Sequence, residues 1–131
     1  MISRTSTQVI KAFIELAKLD KGEYLGAGAI AQTTMSPRNY LGKMLQAMAS
    51  KGLLVSQKGT GGGFRLARPA TKITLYDIVE PIDNVTLWSE CALGMKRCRD
   101  SNPCVIHHRW KVVRGVYYDF LKNTKISDLL E

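Results

Sequence analysis

Apolar residues recur along the first third of the chain at the three- and four-residue steps of a helix. Val9, Ile10, Phe13, Ile14 and Ala17 form one such face, predicting a first helix over 7–18 that Lys21-Gly22 ends. Residues 25–34 hold two glycines, which are poor helix formers, yet Ala27, Ile30 and Ala31 can give a short second helix a small packing face. Ser36 suits an N-cap and Pro37 a first helical position, where the missing N–H costs nothing. The third helix they open turns Tyr40, Leu41, Met44, Leu45 and Met48 inward and Arg38, Asn39, Lys43 and Gln46 outward, and Gly52 stops it. Residues 53–57 and 64–66 read as two short strands around a glycine-rich turn at 58–63.

Beyond the hairpin, Thr74 with Asp77 approximates a capping box for a fourth helix, and Pro81 marks its end. Residues 82–103 are irregular. A long helix over 104–122 then carries Ile106, Trp110, Val113, Tyr117 and Phe120 in heptad-like steps, widened by Val105, Val112 and Val116. So broad a stripe predicts packing against a second copy, with packing into the chain's own core as the alternative. Ile126, Leu129 and Leu130 form a terminal turn that folds back. The predicted fold is mostly α with a small β-hairpin wing: a winged helix-turn-helix plus a long C-terminal dimerisation helix. Its parts are a DNA-binding domain over 1–80, a loop over 81–103, and the dimerisation helix with its turn over 104–131. In such a fold the third helix enters the major groove and the hairpin follows the backbone or minor groove.

Composition narrows the class. The 131 residues, 45% hydrophobic and 23% charged, suit one domain with a real core, and they exclude a disordered tail, a collagen repeat and a disulfide-dense mini-domain. No apolar run approaches the roughly 18 residues that cross a bilayer. Lys11, Glu15 and Lys18 interrupt the one N-terminal candidate for a signal core, so a cytoplasmic, reducing setting and no membrane partner are expected. The net charge of +8 resides in residues 1–72, whereas 73–131 balance to zero. From Tyr24 through Tyr76 there is no acidic residue, while Arg38, Lys43, Lys51, Lys58, Arg65, Arg68 and Lys72 all fall inside. A surface built from that stretch carries positive potential, for which phosphate backbone is the commonest partner. The expected contacts to double-stranded DNA are Arg38, Asn39, Tyr40 and Lys43 on the third helix, with Lys58, Gly59 and Thr60 on the wing. The glycines do not make a nucleotide loop: Phe64-Arg65-Leu66 follows them where such a loop needs Lys-Ser/Thr and a helix.

All three cysteines, Cys91, Cys98 and Cys104, lie within fourteen residues, and both histidines, His107 and His108, follow directly. Lys96, Arg97, Arg99 and Asp100 between them argue against a core segment. Clustered thiols in a reducing setting serve an iron–sulfur centre, a structural zinc ion or a redox disulfide with one spare thiol. Paired Cys-x2-Cys spacing, the usual zinc signature, is absent. With the helix starting at Cys104, both histidines would project toward the same side as that thiol. A thiol enzyme with a histidine-activated cysteine is the rival from another class, but no third orienting group or small-molecule pocket is visible, so no enzyme is expected.

In this order, several segments resemble the Rrf-type winged-helix transcriptional regulators, the family of IscR/NsrR-like iron–sulfur cluster regulators. They are Tyr40-Leu41, residues 52–56, residues 59–66, residues 73–79 and Cys91-x6-Cys98-x5-Cys104-x2-His107. The resemblance implies a homodimer that binds a partly palindromic operator. It implies a 2Fe–2S or 4Fe–4S cluster on Cys91, Cys98 and Cys104, with His107 as fourth ligand, sensing redox, nitric oxide or iron–sulfur status. It also places the base-reading helix at Arg38–Lys43 and the wing cation at Lys58. Gly42 and Lys58 stand where IscR-like members carry a glutamate and an arginine, so the operator preference does not transfer. Gln8 stands where some members place a carboxylate ligand donated from the partner subunit, a poor substitute that favours His107.

Overall fold

The computed structural model describes residues 2–86, 91–95 and 98–130. Lys96 and Arg97, two of the charged residues in the cysteine segment, lie outside these. Helix α1 spans Arg4–Ala17, three residues earlier than periodicity indicates. Its N-cap is Ser3, whose Oγ accepts the Ser6 N–H, and Asp83 Oδ2 accepts both the Ser3 N–H (3.0 Å) and the buried Ser6 hydroxyl (2.8 Å). The start of α1 is therefore fixed by a carboxylate far along the chain, not by a local apolar pattern.

Helix α2 (Ala27–Thr34) buries Ile30, Ala31 and Thr34. Helix α3 spans Arg38–Ser50, with Pro37 and not Ser36 as its N-cap. Ser36 is unsuited because its Oγ is spent 2.8 Å from Thr34 Oγ1, and the Pro37 carbonyl accepts the first helical bond from Leu41. Leu41, Leu45 and Met48 face the core, as expected, but Tyr40 is on the exposed side.

Strands β1 (Leu54–Gln57) and β2 (Gly63–Leu66) pair antiparallel, Leu54 opposite Leu66 and Gln57 opposite Gly63. The hairpin is stitched to the segment before α2, since Leu25 and Phe64 exchange two backbone bonds of 2.9 Å each.

Helix α4 (Leu75–Asp83) opens on the expected capping box between Thr74 and Asp77. Pro81 does not end it. Proline removes one hydrogen bond, but packing carries the helix two residues further to Asp83, the residue anchored on α1, and Asn84 closes it in a left-handed conformation. Helix α5 spans His107–Asn123, so Cys104 precedes it. The first i→i+4 bond there runs from the Trp110 N–H to the Ile106 carbonyl, and the His107 N–H closes a tighter turn on Cys104.

The apolar stripe of α5 divides. Tyr117 and Leu121 are buried in the core, while Val112 (66% exposed), Val113 (50%), Val116 (66%) and Phe120 (49%) are not. The last turn, Ile126–Leu129, folds back as expected: Ile126 is fully buried, and its N–H reaches the Ile73 carbonyl. The core gathers α1, α3, α4 and the end of α5, around Phe13, Leu45, Ile78 and Leu121. Among the described residues, the five α-helices and the two-stranded sheet make the winged arrangement expected from sequence. Among the described residues, no helix is long and apolar enough to cross a membrane.

Candidate metal centre and nucleic-acid interface

Two tight turns bring the thiols together. A turn beginning at Cys91 closes with the Gly94 N–H on the Cys91 carbonyl and puts the Leu93 N–H 3.4 Å from Cys91 Sγ. A second turn pairs Arg99 with Asn102 and reverses the chain, so that the Cys104 N–H reaches Cys98 Sγ at 3.3 Å. The ligand atoms of Cys91, Cys98 and Cys104 then all lie within 4.8 Å of one another, and the Cys91 and Cys104 sulfurs are 3.7 Å apart. All three cysteines are free and partly buried.

His107, the first residue of α5, is only 9% exposed. Its Nδ1 lies 3.3 Å from Cys98 Sγ, and its Nε2 lies 2.9 Å from Asp100 Oδ1. The same carboxylate oxygen accepts from Lys111 Nζ at 3.1 Å. The expectation that both histidines flank Cys104 on one helix face is corrected, because Cys104 precedes the helix. His107 adjoins the thiols, whereas His108 is exposed and meets the His107 ring edge-on at 5.4 Å between centroids.

The electrostatics separate the donors. The Met95 backbone bond leads in holding the Cys91 thiol below its ordinary pKa, helped by the Leu93 N–H and the neighbouring thiols against desolvation. At Cys98 the Cys104 N–H pulls the pKa down, but desolvation and the two adjacent thiols outweigh it and leave the group raised. Cys91 is therefore the readier thiolate, the form that binds metal or meets an oxidant. Asp100 is held below the usual carboxylate range by hydrogen bonds from His107 and Lys111, so it is ionised near neutrality. Three converging thiols, with an imidazole nitrogen beside one of them, Cys98, form a set that suits an iron–sulfur cluster.

The predicted DNA contacts occupy a different region. Arg38, Asn39, Tyr40 and Lys43 are all exposed on α3. With Ala27, Gly42 and Gln46, three of them (Arg38, Asn39 and Lys43) line a shallow hollow of about 480 Å³ between α2 and α3. Tyr40 Oη lies 3.2 Å from Thr5 Oγ1, which ties this face to α1. Lys58, Gly59 and Thr60 are exposed at the hairpin tip. Sequence reasoning missed Asp100 and Lys111 as partners of His107. The only signal was an acidic residue inside the cysteine segment and a lysine four residues beyond the histidine.

Comparison with known proteins gives the family and the fold. The family model Rrf2, described as "Iron-dependent Transcriptional regulator", matches residues 2–131. An Aquifex aeolicus (strain VF5) chain assigned by name to the HTH-type transcriptional regulators is 34% identical over 129 residues, covering 95% of this chain and 90% of its own. The HTH-type transcriptional regulator IscR of Pectobacterium carotovorum subsp. carotovorum (strain PC1) is 25% identical over 119 residues, 87% of this chain and 72% of its own. Among solved structures, CymR (YrzC), the global cysteine regulator of B. subtilis, superposes with a TM-score of 0.82 at 24% identity. It covers 98% of this chain and 95% of its own, and so has the same fold.

Proposed function

The chain belongs to the Rrf2 family of transcriptional regulators, and from that premise we propose that it acts as a homodimer whose grip on DNA is set by an iron–sulfur cluster on Cys91, Cys98, Cys104 and His107. The observation that carries this reading is the convergence of the three thiols within 4.8 Å, with His107 Nδ1 beside Cys98, in a segment that runs straight into α5. When bound, such a cluster supplies one-electron redox chemistry and iron that oxygen or nitric oxide can attack.

The chain's own residues do the rest. Arg38, Asn39, Tyr40 and Lys43 meet the major groove, and Lys58, Gly59 and Thr60 approach the backbone or minor groove. The exposed Val112, Val113, Val116 and Phe120 pair α5 with a second copy, spacing the two α3 helices by about 34 Å, one DNA turn. Ligation by Cys91, Cys98, Cys104 and His107 fastens the loop onto the first turn of α5, so a change at the ligands reaches the helix that sets this spacing. The site is thus that of a redox, nitric-oxide or iron–sulfur status sensor on a partly palindromic operator.

Anaerobic reconstitution tests the reading. Wild-type protein is expected to carry visible sulfur-to-iron absorption with iron and sulfide in stoichiometric amounts, and Cys98→Ala to lose most of it. Colourless wild-type protein, or Cys98→Ala indistinguishable from it, would overturn the reading.

One distance favours a second reading, a metal-free thiol switch: Cys91 Sγ and Cys104 Sγ stand 3.7 Å apart. In that case the two thiols pass two electrons and their two protons to a peroxide as the S–S bond forms, hydrogen peroxide giving two waters and an organic hydroperoxide one alcohol and one water. Peptide mapping of peroxide-treated, iron-free protein, beside iron analysis of protein isolated anaerobically, separates the two.

A further inference from the structure

Between Cys98 and Cys104 the chain carries one acidic residue, and its contacts are unlike those of a surface charge. Asp100 is 72% exposed at its side chain, yet the oxygen Oδ1 meets the nearly buried His107 ring at 2.9 Å and the Lys111 ammonium at 3.1 Å. His107 and Lys111 sit one helical turn apart on α5. Asp100 therefore reaches across from the cysteine loop and holds the first two turns of the helix at one point.

A carboxylate only accepts hydrogen bonds, and a neutral imidazole has one N–H to give. With Asp100 on Nε2, that proton belongs on Nε2, and Nδ1 keeps a free lone pair on the side facing Cys98. Nδ1 is the nitrogen 3.3 Å from Cys98 Sγ. Histidines that bind metals commonly donate their second nitrogen to a carboxylate in this way, and that partner fixes both tautomer and ring orientation. The Lys111 contact on its own is an exposed pair of little energetic weight. Its use is to keep the Asp100 carboxylate aimed at Nε2.

We propose that Asp100, braced by Lys111, is a positioning residue that presents His107 Nδ1 to the thiol cluster as a ligand. The inference rests on the cluster reading above and goes beyond it by naming the nitrogen that binds and the residues that select it.

The experiment uses the full chain with Asp100→Ala, Asp100→Glu and Lys111→Ala. Because Asp100 is exposed, these variants are expected to fold as wild type by circular dichroism. In iron-free protein, long-range proton–nitrogen NMR reports the tautomer of His107, with His108 the one other histidine to assign. Wild type is expected to be mainly Nε2–H, Asp100→Ala a mixture, and Asp100→Glu close to wild type. After anaerobic reconstitution with iron and sulfide, cluster survival against a chelator is expected to fall about 10- to 100-fold in Asp100→Ala. It should fall less in Lys111→Ala and recover in Asp100→Glu. In a His107→Cys background, Asp100→Ala should have no further effect on survival, since the carboxylate acts through the imidazole.

Asp100→Ala with wild-type tautomer and wild-type survival, while Cys98→Ala loses its chromophore, would overturn this inference and leave the cluster reading standing. If Cys98→Ala and His107→Ala both keep the wild-type chromophore, the cluster reading itself fails and this assignment goes with it.

Discussion

At the scale of single residues, Gly63 shows how a position can be demanded by backbone alone. It opens β2 with φ of +139°, and a Cβ there would sit 2.4 Å from the Leu25 carbonyl oxygen and 2.7 Å from the Gly26 nitrogen. The Leu25 carbonyl is half of the stitch that fastens the hairpin to the start of α2. Gly63→Ala is expected to cost about 2–5 kcal/mol from backbone strain plus overpacking, read by urea unfolding at one fixed protein concentration. Gly61→Ala, two residues away, meets no atom within 4 Å and carries only its φ of +77°. It should cost about 1 kcal/mol. Equal costs would mean that the close approach to Leu25 is not what Gly63 serves. Sequence alone shows a glycine-rich tip but not which glycines are crowded: Gly62 is crowded by the Gln57 carbonyl within the hairpin, and Gly63 by a segment much earlier in the chain. Asp100 was hidden as well: nothing periodic marks a loop carboxylate, and only the turn at Arg99–Asn102 reveals its target. The grouping of Cys91, Cys98 and Cys104 was legible because thiols gathered in a short segment stand out whatever the fold.

Elements were legible where one face is apolar and the cap is local. The Thr74–Asp77 box, the inward face of α3 and the hairpin all follow from residues close by in sequence. The boundaries that differ were set from afar or by competition: α1 begins early through Asp83, Ser36 loses its capping role to Thr34, and α4 outlasts Pro81 because Asp83 is anchored. Helix α5 holds the most consequential difference. Its heptad-like stripe reads as one seam, yet Tyr117 turns into the core while Val112, Val113, Val116 and Phe120 remain outside. Together with Tyr117, these four line a hollow of about 480 Å³ that is almost wholly apolar. Val116→Asp places a charge at the middle of that face without touching the buried one. If two copies meet there, each complex must desolvate two new carboxylates, at several kcal/mol in all, so the dimer dissociation constant is expected to rise at least about 100-fold. Sedimentation velocity across a concentration series measures it. A variant that stays as dimeric as wild type would place the contact elsewhere.

At the scale of the whole molecule, the segregation of charge organises the chain. The acid-free stretch from Tyr24 to Tyr76 folds into α2, α3 and the hairpin, so the positive potential and the candidate DNA contacts belong to one part of the structure. The second half, neutral overall, builds the ligand loop and α5. On the proposed reading, one half meets phosphate and the other sets the geometry of the pair. Salt dependence tests both ideas together. Each phosphate neutralised adds about 0.9 to the slope of log affinity against log salt. A symmetric dimer doubles every such contact, so Lys58→Ala on DNA selected by this protein should lower the slope by about 1.8. A change near about 0.9 would mean that one wing alone touches the backbone, and an unchanged slope would remove Lys58 from the phosphate contacts. Lys43, on the proposed reading face of α3, is expected to behave differently. Its replacement should weaken selected DNA more than random DNA, because a base contact is lost only where the base is present.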